Sequence, residues 1–171
     1  RSTATSTRAT TMQEWCGILQ SGQKFVLEIT TRITTSRDID PLIGSNEISD
    51  TYDELFAKSS LAWTSRWSES DIEIDGAPDD QSAVRYNIFQ LITSCSARDS
   101  SVSIGARGLT HTRYKGCYFW DTDLFMLSFF LYTHPEAAKN LMEYRVRTLP
   151  QAKENAKKMN NAGARYPWMT S

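Results

Sequence analysis

Leu124-Phe125-Met126-Leu127-Ser128-Phe129-Phe130-Leu131 is apolar at every position but Ser128. At helical spacing such a run has no side to give to water, so the helix it forms should be surrounded by protein. The flanks agree with a helical setting. Downstream, Pro135 opens a helix with Ala138, Leu141, Met142 and Arg145 near one face. Pro150 stands where a first helical position is expected, and residues 151–159 read as a separate polar, lysine-rich helix. Asn160-Asn161-Ala162-Gly163 ends it. Upstream, Asp79 and Asp80 can cap a helix that turns Val84, Ile88, Leu91, Ile92 and Cys95 inward. A buried helix between amphipathic ones implies concentric helical layers.

Between the upstream helix and the apolar run, residues 100–118 form a polar, glycine-containing loop, long for a plain connector. Further back, residues 41–78 read as a linker with one helix. Thr51 and Glu54 have capping-box spacing, and Tyr52, Leu55, Phe56, Trp63 and Trp67 follow near helical period. Ile72 and Ile74 alternate with Asp71, Glu73 and Asp75 in a short strand or extended run. Residues 1–40 have the texture of a sheet. Phe25, Leu27 and Ile29 alternate with polar residues, Ser21-Gly22 is a turn signal, and residues 15–19 are the expected partner strand. Residues 1–11, rich in Ser, Thr and Arg, have the composition of a transit peptide. With no initiator Met and no apolar helical face, a polar strand edge is the reading that stands. Two strands alone are marginal in water, so this region needs a larger sheet.

The 171 residues carry a formal charge of −1, with 40% hydrophobic and 23% charged residues, an ordinary globular balance. No basic field recruits nucleic acid or an acidic membrane, and no apolar run is long enough to span a bilayer. Cys16, Cys95 and Cys117 are odd in number and lack C-x-x-C spacing, which argues against a disulfide framework and for a reduced, cytoplasmic setting. With only His111 and His134, no metal site is expected.

An ordered series of blocks then comes into view: Ile104-Gly105-Ala106-Arg107-Gly108-Leu109-Thr110, Tyr114-Lys115-Gly116, Phe119-Trp120-Asp121-Thr122-Asp123, Tyr144-Arg145, and Tyr166-Pro167-Trp168. Thr35-Ser36-Arg37-Asp38, Asp71-Ile72-Glu73-Ile74 and Arg85-Tyr86-Asn87-Ile88 precede them. Over residues 24–171 the series resembles glycoside hydrolase family 65, the disaccharide phosphorylases. The resemblance implies a mainly α chain with a β N-terminal part: the last strands of a β-sandwich at 1–40, a helical linker at 41–78, and the first helices of an (α/α)6 barrel at 79–171. Arg1 at the start and a mid-loop end at Ser171 fit an internal piece of a longer enzyme. It also implies that Trp120, Asp121 and Trp168 line the pocket for a non-reducing glucose, with a catalytic Glu and the phosphate site beyond Ser171. The expected substrates are an α-linked glucosyl disaccharide and inorganic phosphate, with no cofactor, and a homo-oligomer is left open. The sequence departs from the family's pattern at Met169, where Glu is common, at His111-Thr112-Arg113, and at Cys117.

The residues themselves support two readings of this site. Trp120 and Asp121 offer the ring and the carboxylate that a sugar needs, or they are a core aromatic and a helix N-cap. Asp121 and Asp123, two apart, do not share a helix face. Asp71, Glu73 and Asp75 read as a solvated strand edge, and Lys153, Lys157 and Lys158 as a solvated helix face. His111 either meets the sugar acceptor or sits at the surface. None of these carboxylates reads as a general acid, so the piece alone should be inactive. Hydrolysis of an α-glucoside and a non-enzymatic helical interaction module are the competing functions.

Overall fold

The computed structural model describes residues 2–6, 11–31, 33, 50–108 and 113–170. They form two compact units, Arg1–Ser59 and Ser60–Ser171. Among the described residues the chain is mainly helical, with two small sheets. Among the described residues, no helix is long and apolar enough to cross a membrane.

In the first unit, β1 (Ser2–Ser6) pairs antiparallel with β2 (Thr11–Trp15), Ser2 opposite Trp15. The polar start is therefore a strand. The strand expected at Phe25, Leu27 and Ile29 is not formed, nor is its partner over residues 16–19; the three alternating apolar side chains are 62%, 44% and 70% exposed. Alternation makes a strand only where a sheet edge receives it, and the described residues of this unit offer none to that segment. The turn at Ser21-Gly22 is present: Gly22 has φ +84° and Gln23 N–H donates to the Gln20 carbonyl at 3.0 Å. The block at residues 35–38 lies outside the described residues.

Helix α1 (Tyr52–Ser70) starts with the capping box expected of it. Thr51 N–H donates to the Glu54 carboxylate at 2.8 Å, and Glu54 N–H to the Thr51 hydroxyl at 3.3 Å. The backbone hydrogen bond from Thr51 holds the Glu54 carboxyl below its ordinary range.

In the second unit, the run after α1 is extended without a strand partner. The Gln81 side chain takes its place: its amide donates to the Ile72 carbonyl at 2.7 Å and accepts from Ile74 N–H at 2.6 Å. Asp71 leaves the acidic edge to make a two-pronged pair with Arg85, at 2.8 and 2.6 Å. Two of the sequence blocks are thereby joined. Helix α2 (Pro78–Ser94) begins at Pro78 itself, so Asp79 and Asp80 sit in its first turn and cap nothing through their side chains. There they favour the positive end of the helix dipole instead. Ile88 and Ile92 are buried, as the period required, and Phe89 stacks on Trp63 with centroids 5.0 Å apart.

The core lies where α3 (Leu127–Thr133) and α4 (Pro135–Lys158) pack together. It contains Ile104, Phe130, Ala137, Ala138 and Leu141, with Leu91, Cys95, Met126, Leu127 and Phe129 against it. Burial pushes the Cys95 thiol up to about 11, which leaves it protonated at neutral pH. Three expectations need correction here. The apolar helix is covered on one side only: Phe130 is 1% exposed, whereas Leu124 and Phe125 are 65% and 70% exposed. Met142, expected inward, is also exposed. Nor does Pro150 open a new helix, since α4 runs through it. Proline removes one helical hydrogen bond and crowds the preceding turn. The bond lost is the one to the Val146 carbonyl, four residues back; hydroxyls reach two carbonyls just before it. The Thr148 hydroxyl donates to Tyr144 O at 2.9 Å and the Tyr166 hydroxyl to Arg145 O at 2.6 Å. Helix α4 ends at Lys158, and Asn160 follows at φ +55°.

Candidate functional site

The loop after α2 returns along the core. Ile104 is buried, and Gly105 bridges to Tyr118. Gly108, at φ +69°, passes so close to α2 that a Cβ there would lie 2.7 Å from the Ser94 hydroxyl. The positive φ favours a glycine there, and the close side chain leaves little room for more. The segment containing His111 lies outside the described residues. Arg113–Gly116 is a tight turn with Tyr114 at φ +68° and Lys115 at φ +52°.

The chain then enters β3 (Tyr118–Phe119), which pairs antiparallel with β4 (Met169–Thr170); Phe119 faces Met169. This ladder is too short to have a sequence signal, yet it brings the last sequence block against the earlier Phe119-Trp120-Asp121 block. Trp120 donates its indole N–H to the Pro167 carbonyl at 2.8 Å and meets the Trp168 ring edge-on, centroids 5.4 Å apart. Phe119 meets the same ring from another side at 5.8 Å. Trp120 is 40% exposed, so it is not a core residue.

Asp121 stands at the start of a π-wound turn, Thr122–Met126, that leads into α3. Such turns recur at functional sites because the extra residue re-aims the side chains around it. Asp121 occupies the cap position without capping: its side chain makes no cap hydrogen bond, and among the described residues its carboxylate has no hydrogen-bond or ion-pair partner. The N-cap reading of Asp121 is therefore set aside. Asp123, by contrast, is fully engaged. Arg145 donates to it from Nε at 3.0 and 3.1 Å and also from Nη2. The Arg145 guanidinium lies between the Tyr144 and Tyr166 rings, 5.6 and 5.3 Å from their centroids. This is a structural knot between three sequence blocks.

Two clefts flank this assembly. Asp121 and Trp168 line one of about 360 Å³, together with Ala106, Arg107, Tyr114, Phe119, Thr122 and Met126. Trp120 lines its neighbour of about 590 Å³, beside Arg145, Val146 and Tyr166. So two of the three expected site residues share a cleft, and the third braces one of them from behind. Sequence reading placed Tyr114 in a motif block but did not assign it to the wall of this cleft. A hollow of about 570 Å³ at the far end of α3, lined by Arg66, Glu69 and His134, contains none of the expected sugar-site residues. Among the described residues, no three His, Cys, Asp or Glu side chains cluster to hold a metal. Chemically, the first cleft offers an uncommitted carboxylate beside an aromatic ring. That pairing suits a polyhydroxylated ring: hydroxyls donate to the carboxylate and the C–H face stacks on the indole.

Comparison with known proteins gives one consistent answer. Residues 85–171 match the model of the glycosyl hydrolase family 65 central catalytic domain. A kojibiose phosphorylase from Halothermothrix orenii is 38% identical over 165 residues, 88% of this chain and 21% of that protein. The maltose phosphorylase of Bacillus subtilis is 36% identical over 157 residues, 86% of this chain and 20% of that protein. A solved structure from the human microbiome that carries the kojibiose phosphorylase name aligns with a TM-score of 0.67 at 39% identity, over 71% of this chain and 16% of that one. The chain thus spans about a fifth of the length of the curated relatives it matches.

Proposed function

Because the chain belongs to glycosyl hydrolase family 65, we propose that the enzyme containing it is an inverting disaccharide phosphorylase acting on an α-glucoside. The observation that carries this reading is the uncommitted Asp121 carboxylate beside the Trp168 ring in one cleft. In it, Asp121 accepts hydroxyl hydrogen bonds from the non-reducing glucose, Trp168 stacks on that sugar, and Trp120 holds Trp168 in place. A carboxylic acid outside this chain protonates the leaving oxygen. Inorganic phosphate, the co-substrate, attacks from the opposite face, so no second protein carboxylate is needed and the product is β-glucose 1-phosphate. No resident cofactor enters this scheme. Asp123, held by Arg145, takes no part in the chemistry.

The relatives fit this class: they are named phosphorylases of kojibiose, nigerose, maltose and trehalose. In the proposed parent, residues 79–171 begin an (α/α)6 barrel, 41–78 link it to a β-sandwich, and the exposed side of the apolar helix is covered by further barrel helices. The enzyme is proposed to be cytoplasmic. The isolated chain, lacking an acid, is expected to be inactive.

The test is product analysis of the full-length enzyme on a set of α-linked glucosyl disaccharides, with and without phosphate. Glucose 1-phosphate formed only with phosphate is expected. Free glucose released at the same rate without phosphate would establish a hydrolase instead.

A further inference from the structure

Asp121 has no side-chain partner among the described residues, so the direction of its carboxylate follows from the backbone that carries it. That backbone opens the π-wound turn, and the two residues that come next fasten it. The Thr122 hydroxyl, 2% exposed, donates to the Ile104 carbonyl at 3.1 Å. Asp123 is gripped by Arg145, through Nε at 3.0 and 3.1 Å and through Nη2. The amides of Asp123 and Leu124 both donate to the Trp120 carbonyl at 3.0 Å. A shift at Asp123 is therefore passed to the peptide bond that precedes Asp121.

Arg145 reaches the other sugar-site residue as well. Its guanidinium lies 5.3 Å from the Tyr166 ring centroid, and its backbone carbonyl accepts the Tyr166 hydroxyl at 2.6 Å. Tyr166 stands two residues before Trp168. That segment has further ties to α4, from Arg165 N–H to the Ala152 carbonyl at 2.8 Å and from the Asn155 amide to the Arg165 carbonyl at 3.0 Å. The larger effect of Arg145 thus falls on Asp121. A largely buried ion pair is often no more stabilising than an apolar pair of similar volume. What arginine supplies here is direction, because its planar fork fits a carboxylate while its face stacks on rings.

Resting on the reading of this cleft as the glucose site, we propose that Arg145 is a positioning residue for sugar recognition. Through Asp123 it fixes the direction of the Asp121 carboxylate, and through Tyr166 it helps to fix where Trp168 stands beside it. Arg145 lines the neighbouring cleft rather than this one, so it acts through these residues and not on the glucose.

The test measures kcat/KM per folded molecule in the full-length enzyme, on its best α-glucosyl disaccharide. Asp123→Ala combined with Arg145→Met removes both charges and strands neither. This double variant should recover much of the stability lost by Asp123→Ala alone. It should still lose about tenfold or more in kcat/KM, since displacing a binding group by on the order of 1 Å is enough for such a loss. It should divide that loss between KM and kcat as Asp121→Ala does. Added to Asp121→Ala, it should cost less than about twofold more, because the carboxylate it positions is already gone. Arg145→Lys, which keeps the charge without the fork, should lose at least about threefold. Normal kcat/KM in the double variant, or losses that simply multiply when Asp121→Ala is added, would overturn the proposal and leave the sugar site standing. Unchanged kcat/KM in Asp121→Ala itself would overturn the sugar-site reading, and the proposal with it. The rates can be followed as glucose 1-phosphate or as glucose, so the outcome does not depend on phosphorolysis over hydrolysis.

Discussion

The rings of Trp120 and Trp168 meet edge to face, 5.4 Å apart at 78°, across a separation of nearly fifty residues. The Trp120 indole supports this meeting by donating to the carbonyl of Pro167, the residue before Trp168. Trp120→Phe keeps a ring but leaves that carbonyl without its donor. A loss of about 0.5–1.5 kcal/mol of stability is expected in the full-length enzyme. Sugar affinity should fall as well, because Trp168 loses its brace. Unchanged unfolding and unchanged affinity together would show that the hydrogen bond does not position Trp168.

Asp121→Ala separates binding from stability. The carboxylate caps nothing, so the expected cost in stability is small, within about 0.5 kcal/mol. If it accepts sugar hydroxyls, kcat/KM should drop at least about tenfold, or about 1.4 kcal/mol. Steady-state kinetics and a thermal melt on one preparation give both numbers. A variant that melts early but turns over normally per folded molecule would remove Asp121 from the sugar site.

The Asp123–Arg145 pair should behave in the opposite way. Asp123→Ala strands a guanidinium whose side chain is 11% exposed, at an expected cost of roughly 3 kcal/mol. Replacing both partners, with Asp123→Ala and Arg145→Met, should recover much of that loss, since no charge is then left unpaired. Urea unfolding of the single and double variants measures it. A double variant no more stable than the single one would mean that the arginine is held by its tyrosine neighbours rather than by the carboxylate.

The pair between Asp71 and Arg85 gives a pH dependence whose sign is fixed. The Arg85 hydrogen bonds hold the Asp71 carboxyl below its ordinary value of 3.8. A depressed carboxylate contributes stability that is complete above the unfolded value and lost as pH falls through the folded one. The difference in unfolding midpoint between wild type and Asp71→Asn should therefore be constant at neutral pH, shrink below about 3.8, and close once the folded-state carboxyl is protonated. Both groups are solvent-exposed, so added salt should shrink it too. A difference independent of pH would rule out the pair as its source.

What was legible in the sequence is what depends on neighbours along the chain. The capping box at Thr51 and Glu54, the buried face of α2 and the helix at residues 127–133 each follow from local spacing. What was not legible depends on partners far away. Pro150 reads as a helix start because local spacing does not reveal that the packing of α4 carries the helix through it. Phe25, Leu27 and Ile29 read as a strand because alternation carries no information about whether a sheet edge exists. At the site, the order of motifs pointed to Asp121 and Trp168, and the structure puts them in one cleft. It could not show that Trp120, next in sequence to Asp121, faces a different cleft. Nor could it show Tyr114, whose place depends on a backbone angle.

The two-residue ladder between β3 and β4 has a consequence for the order of events in folding. The α3–α4 packing joins segments adjacent in the chain and can form early, while the ladder and the Trp120–Pro167 bond must close a loop of 47 residues. The ladder itself is only two residue pairs long, so its backbone bonds belong to the part of the molecule that opens most readily. Amide exchange at Phe119 and Met169 should then be faster than at Leu141, and a sugar that bridges Asp121 and Trp168 should slow it. Such a ligand acts as a fastener for the last contact to form.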